Sequence, residues 1–177
     1  MLDSLITSKT RIKLLLRFFL NPNSTAYLRN LETEFGESSN AIRIELNRFE
    51  KAELLTSKKE GNKKIFQANV KHPLYSDINS ILLKQTGLDQ IIEGVAKRIG
   101  DTQKVFVSGD VAKGKDPKVI DIIFVGTKID KTYLNLLVKK VERLIRRKIK
   151  SFIFELDEFE KIKNSYNSDE IILLWQS

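Results

Sequence analysis

The apolar positions of the first fifty residues fall into three helical stripes. Ile12, Leu15, Leu16 and Phe19 recur at i, i+3, i+4 and i+7 behind Ser8 as N-cap, and predict a helix that ends at Asn21-Pro22. Ser24 to Tyr27 reads as a short extended lead-in. Leu28, Leu31 and Phe35 mark a second, short helix stopped by Gly36. Ser38 or Ser39 caps a third, whose Ile42, Leu46 and Phe49 repeat at i, i+4 and i+7 and face the first two. From Ser57 to Ala68 the pattern is that of a β-hairpin around a Gly61-Asn62 turn, with lysines on both arms.

Beyond residue 70 the pattern changes twice. Val70 to Tyr75 is a loop. Ser76 to about Arg98 is mostly helical, with a kink or break at Gly87. From about 103 the order is strand, loop, strand, helix, strand, helix. Lys104–Ser108 is a buried strand. Gly109–Lys118 is a loop with two glycines and a proline. Val119–Val125 is a nearly all-apolar strand interrupted by Asp121. Leu134, Leu137, Val141, Leu144 and Ile145 give a helix, Lys150–Glu155 a strand, and 157–164 a short helix.

Composition narrows the chemistry. The 177 residues contain no cysteine and one histidine, His72, so disulfides, thiolate metal sites and a Ser-His-Asp triad are not expected. No apolar run approaches the roughly 18 residues of a membrane span, and Met1-Leu2-Asp3-Ser4 does not open like a signal peptide; a cytoplasmic protein with no membrane partner is expected. The net charge of +8 favours polyanionic partners. It is clustered: residues 57–64 hold four lysines against one Glu, and 139–150 hold seven Lys and Arg against Glu142.

The third helix and the hairpin together suggest a reader of duplex DNA. Three helices with a tight turn before the third, then a hairpin, is the layout of a helix-turn-helix with a wing. Asn40, Arg43 and Asn47 share the face opposite the apolar stripe, and Arg and Asn suit bidentate contacts with guanine and adenine edges. Ser38 and Ser39 stand at the helix start, where hydroxyl and backbone N–H groups can donate to phosphate. Lys58, Lys59, Lys63 and Lys64, with Asn62 at the turn, would meet the backbone, so affinity should fall steeply with salt. The basic run Lys139, Lys140, Arg143, Arg146, Arg147 and Lys148 has two readings: cations favoured by a helix C-terminus, or a second contact with DNA.

Tyr27-Leu28-Arg29-Asn30-Leu31, Ser38-Ser39-Asn40-Ala41-Ile42, Leu46 to Leu55 and Glu60-Gly61-Asn62-Lys63-Lys64 carry a resemblance. Over about residues 8–70 the chain resembles winged-helix repressors of the arsenical-resistance-repressor type. The resemblance implies a homodimer on near-palindromic duplex DNA. Metal sensing, common in that group, is not implied, because the cysteine and histidine ligands are missing; no cofactor and no metal site are expected.

The second half carries another resemblance. Ser108-Gly109-Asp110-Val111-Ala112-Lys113-Gly114 followed by Val119-Ile120-Asp121-Ile122-Ile123 resembles the nucleotidyltransferase superfamily, in which a strand enters a Gly-Ser loop and a second strand bears Asp-x-Asp. Two alternate carboxylates on one strand face hold Mg²⁺ against a triphosphate. Here Gly109, Ala112, Gly114 and Asp121 are kept, Lys113 replaces the usual Arg, and Val119 stands where the first carboxylate belongs. Valine cannot ligate a metal, so no catalytic residues are expected, and Ser108, Gly109, Lys113 and Asp121 form at most a vestigial nucleotide site. Asp121 reads more simply as a buried carboxylate paired with a cation such as Lys113.

The whole chain therefore resembles prokaryotic regulators with a nucleotidyltransferase-like C-terminal domain. The expected fold is α+β: a winged helix-turn-helix over residues 1–70, a helical connector over 71–102, and a nucleotidyltransferase-like α/β domain with a small mixed sheet over 103–177. The implied function is transcriptional regulation, with a nucleotide or small molecule as effector left open. The alternatives are an active Mg²⁺-dependent nucleotidyltransferase recruited by its winged helix, and an antitoxin-like protein-interaction module.

Overall fold

Ser8 accepts from the Arg11 amide and starts α2 (Lys9–Phe19), after a four-residue α1 (Leu2–Leu5) that the apolar pattern does not signal. The computed structural model describes residues 2–167 and 170–177. It is an α+β fold with two small sheets, and it divides into two units, Met1–Leu82 and Leu83–Ser177, each described by itself. Among the described residues no helix is long and apolar enough to cross a membrane.

In the first unit α2 is more deeply embedded than one stripe requires. Leu14 and Phe18 are buried as completely as Phe19, while Ile12 is only half-buried. β1 (Thr25–Tyr27) leads into α3 (Leu28–Phe35), and Gly36 caps α3 at φ 63°, a conformation that suits glycine. α4 (Ser39–Lys51) starts behind Ser38, whose hydroxyl accepts from the Ala41 amide, and buries Ile42, Leu46 and Phe49. β2 (Leu55–Glu60) and β3 (Lys63–Ala68) pair antiparallel with Glu60 opposite Lys63. The two-residue turn between them has Gly61 at φ 59°, the positive value a primed hairpin turn needs at its first central position. β1 pairs with the other edge of β3, giving a three-stranded sheet of order β1-β3-β2. Its inner face buries Ala26, Leu55, Phe66 and Ala68. The start of α5 (Tyr75–Thr86) stays with this unit: Tyr75 stacks on Phe19 at 5.6 Å and Asn79 donates to the Phe19 carbonyl at 2.7 Å.

In the second unit Gly87 breaks the helical run at φ 81°, and α6 (Leu88–Gly94) and a 3₁₀ turn (Ala96–Arg98) follow. The sheet has order β6-β5-β4-β7, from β4 (Thr102–Ser108), β5 (Val119–Gly126), β6 (Lys148–Phe154) and β7 (Ile171–Gln176). β5 and β6 are parallel, joined through α7 (Lys131–Ile145), and the other pairs are antiparallel, so the sheet is mixed. β7 has no counterpart among the elements expected from the sequence. Along β5 the side chains alternate. Ile123 and Val125 pack with Phe106 and with Phe159 of α8 (Leu156–Lys163). Ile120, Ile122 and Phe124 are buried on the opposite side. α6 and α7 approach closely there because residue 94 is glycine: a Cβ on it would lie 2.6 Å from Val141 Cγ2.

Candidate nucleic-acid interface

The site is built on the outer face of α4. Asn40, Arg43, Asn47 and also Ile44 are exposed on the side away from Ile42 and Leu46. Arg43 reaches back to the Ser39 hydroxyl at 3.5 Å, too long to hold it firmly, and the side chains of Asn40 and Asn47 make no hydrogen bond among the described residues. These side chains project from the helix into solvent.

The inner face of the same helix explains why its orientation is fixed. Glu45 is buried, and its carboxylate accepts from Arg11 Nε at 2.9 Å and Nη2 at 3.2 Å, from the Ser8 hydroxyl at 3.1 Å and from Arg48 at 3.1 Å. Burial alone would raise its pKa. The bonds from Arg11 and Ser8, with the charges of Arg11 and Arg48, outweigh this and hold it below the usual carboxylate range. A parallel anchor fixes α3: buried Arg17 on α2 pairs with Glu34 at 3.0 Å and bonds the Ser24 hydroxyl.

The hairpin lysines divide into unequal roles. Lys64 Nζ donates to Glu50 of α4 at 2.6 Å, and the Ser57 hydroxyl donates to the same carboxylate at 2.5 Å. These bonds hold the Glu50 pKa low and engage Lys64 in an ion pair. Lys63 lies 5.6 Å from the ring centre of Tyr27, whose hydroxyl bonds Glu60 and whose pKa is raised by that bond. Lys58 and Lys59 are exposed and make no ion pair among the described residues.

Ser39, Arg43 and Asn47 of α4 and Asn62, Lys63 and Lys64 of the hairpin border one hollow of about 540 Å³. Tyr27, Arg29 and Asn30, at the β1–α3 junction, close its third side. Ser38, Asn40, Lys58 and Lys59 lie outside its lining. The sequence pattern does not single out Tyr27, Arg29, Asn30 or Ile44 as site residues. Only Ile44 leaves a signal, since it falls four residues after Asn40 and two from Ile42, on the polar side of the helix.

In the second unit Ser108 is opposite Asp121 in the β4–β5 pairing, and Gly109 has φ 69°. A Cβ at Gly109 would lie 3.0 Å from Asp121 Oδ2, so glycine is what lets the turn pass the carboxylate. The expected Asp121–Lys113 pair is not formed. Lys113 instead binds Glu170 at 3.0 Å, which lowers the Glu170 pKa, and the Asp121 carboxylate has no hydrogen-bond or ion-pair partner among the described residues. The Gly109 amide donates to the Glu170 carbonyl at 3.3 Å rather than standing open. Asp110 binds Lys115 and Asp116 binds Arg147, so neither carboxylate is held beside Asp121. Val111 and Ala112 are buried and fold this loop inward.

No family model and no curated protein matches the chain. Among solved structures, AF1382 from Archaeoglobus fulgidus is similar at 15% identity and a TM-score of 0.39, over 48% of this chain and 97% of that one. A likeness of that degree bears on neither fold nor function.

Proposed function

We propose that the protein is a DNA-binding transcriptional regulator whose first unit is a winged helix-turn-helix, with α4 as the reading helix and β2–β3 as the wing. The observation that carries the reading is the hollow shared by α4 and the hairpin. It collects Arg43, Asn47, Asn62 and Lys63, donors suited to base edges and phosphates, beside a helix whose back is clamped by Glu45. In this reading Arg43 and Asn47 contact bases and Ile44 packs on a thymine methyl. Lys58, Lys59, Lys63 and Arg29 meet phosphate. Ser38, whose oxygen accepts the Ala41 amide, keeps its O–H to donate to the backbone. The winged-helix resemblance further implies a homodimer on a near-palindromic site.

The second unit reads as a nucleotidyltransferase-like domain without catalysis, serving as a sensor or interaction module. Its support is Val119, on the same side of β5 as Asp121, where a metal site would need a second carboxylate.

The test is a salt titration of a labelled mixed-sequence duplex followed by anisotropy. Each phosphate neutralised contributes about 0.9 to the slope of log K against log salt, so the four cations Lys58, Lys59, Lys63 and Arg29 give about −3 to −4 from the first unit of each chain. Lys58→Ala/Lys59→Ala should flatten that slope by about 2. Binding indifferent to both salt and these two lysines would refute the proposal.

A further inference from the structure

The second unit has an unassigned basic surface assembled from three elements. Lys139, Arg143 and Arg146 come from α7 and its cap, Lys118 from the loop before β5, and Lys148 from the start of β6. They border a hollow of about 820 Å³, and the Lys148 amide bonds the Lys118 carbonyl at 3.0 Å, which fixes the loop against the strand. The carboxylates nearby are already engaged. Glu142 accepts the Ile149 amide at 2.8 Å and pairs with Lys148 at 3.4 Å, and Asp116 takes Arg147. Lys118, Lys139, Arg143 and Arg146 are exposed and have no ion pair among the described residues.

The helix dipole does not account for this cluster. It favours cations in the last turn, which here means Arg143. Lys139 lies earlier on α7, and Lys118 and Lys148 belong to other elements, yet all converge. Arg143 also borders a second hollow of about 470 Å³, shared with Arg98 and Lys140. The carboxylate there, Glu93, is bound to Lys97 at 2.6 Å. Two adjoining hollows joined by one Arg suit a run of anions rather than a single phosphate. The guanidinium forks of Arg98, Arg143 and Arg146 suit phosphate oxygens better than point charges would.

From this we infer that the surface around Arg143 is a second phosphate-backbone contact, through which the second unit binds nucleic acid without reading its sequence. The inference rests on the DNA-binding reading of the first unit only for the identity of the polyanion. It adds cations, and hence affinity and salt dependence, while leaving base choice to α4.

The experiment uses the full chain on a mixed-sequence duplex, with two variants measured side by side. One is Lys139→Ala/Arg143→Ala/Arg146→Ala; the other is Lys58→Ala/Lys59→Ala. All the altered groups are exposed, and matching thermal melts confirm that each variant folds. The triple variant should flatten the salt slope by about 2 to 3, at about 0.9 for each phosphate no longer neutralised. Lys139→Arg/Arg143→Lys/Arg146→Lys, which keeps the charge, should keep most of the slope. A triple variant with the wild-type slope overturns this inference and leaves the first unit's role standing. A flattened slope in the triple variant, with no effect of Lys58→Ala/Lys59→Ala, supports this inference and overturns the first unit's role. A chain that ignores the duplex but binds phosphatidylglycerol vesicles through these residues overturns it in favour of a membrane surface.

Discussion

Replacing Glu45 by Gln should destabilise the first unit in a pH-dependent way and loosen the presentation of α4. Glu45 is where Ser8, Arg11 and Arg48 converge, with its side chain 7% exposed and that of Arg11 35% exposed. Gln keeps the shape but removes the charge, and turns an NH₂ group toward cationic donors. A hydrogen bond to a charged group contributes about 1.5–3 kcal/mol, and breaking a fully buried ion pair costs about 3–5 kcal/mol. Arg11 reaches water and can resolvate, which places Glu45→Gln lower, at about 1–3 kcal/mol near neutral pH. The sign of the pH effect follows from the lowered folded-state pKa. The stabilisation is fully present above the unfolded carboxyl pKa, about 4.3, and is lost as pH falls through the lower folded value. Urea midpoints of wild type and Glu45→Gln should therefore keep their full gap at pH 6 to 7 and converge only as pH falls below about 4. A gap of the same size at every pH, or no gap at neutral pH, would refute the assignment of Glu45 as the charged clamp behind α4.

Glu50→Gln should release Lys64 and make duplex binding tighter, steepening the salt slope by up to about 1. The stability lost with this partly exposed pair should stay below about 1 kcal/mol, as chemical denaturation would show. Gly94→Ala should cost about 1–3 kcal/mol by overpacking against Val141, despite alanine's better helix propensity, and the cost should shrink in a Val141→Ala background in a double-mutant cycle. If the second unit senses a nucleotide, a thermal-shift screen with nucleotides and Mg²⁺ should raise its melting temperature for one of them. A flat screen would point to an interaction module.

The helices of the first unit and its hairpin are legible because each carries its own periodic signal: Ser8 and Ser38 as caps, Gly36 as a stop, Gly61-Asn62 as a turn. The polar face of α4 is legible for the same reason. What escapes depends on partners distant in sequence. The Ser8–Glu45 bond spans 37 residues and the Lys64–Glu50 bond 14, and neither leaves a periodic trace. Four lysines look equivalent in sequence, and only the bond to Glu50 sets Lys64 apart from Lys59, its cross-strand partner, and from Lys58. Ser24 to Tyr27 is readable as an extended segment, but its pairing with β3 is not, and with that pairing goes the place of Arg29 and Asn30 beside the hairpin. In the second unit the β4–loop–β5 run is readable. The pairing of Lys113 is not, because Glu170 lies 57 residues further along the chain.

Selection of bound duplexes from a randomised pool, with wild type and Arg43→Ala/Asn47→Ala in parallel, separates base reading by α4 from charge supplied by the hairpin. Wild type should enrich a defined, near-palindromic sequence, and the double variant should lose that enrichment while still binding duplex in a salt-dependent way. The same sequence enriched equally by both proteins would contradict base reading by α4.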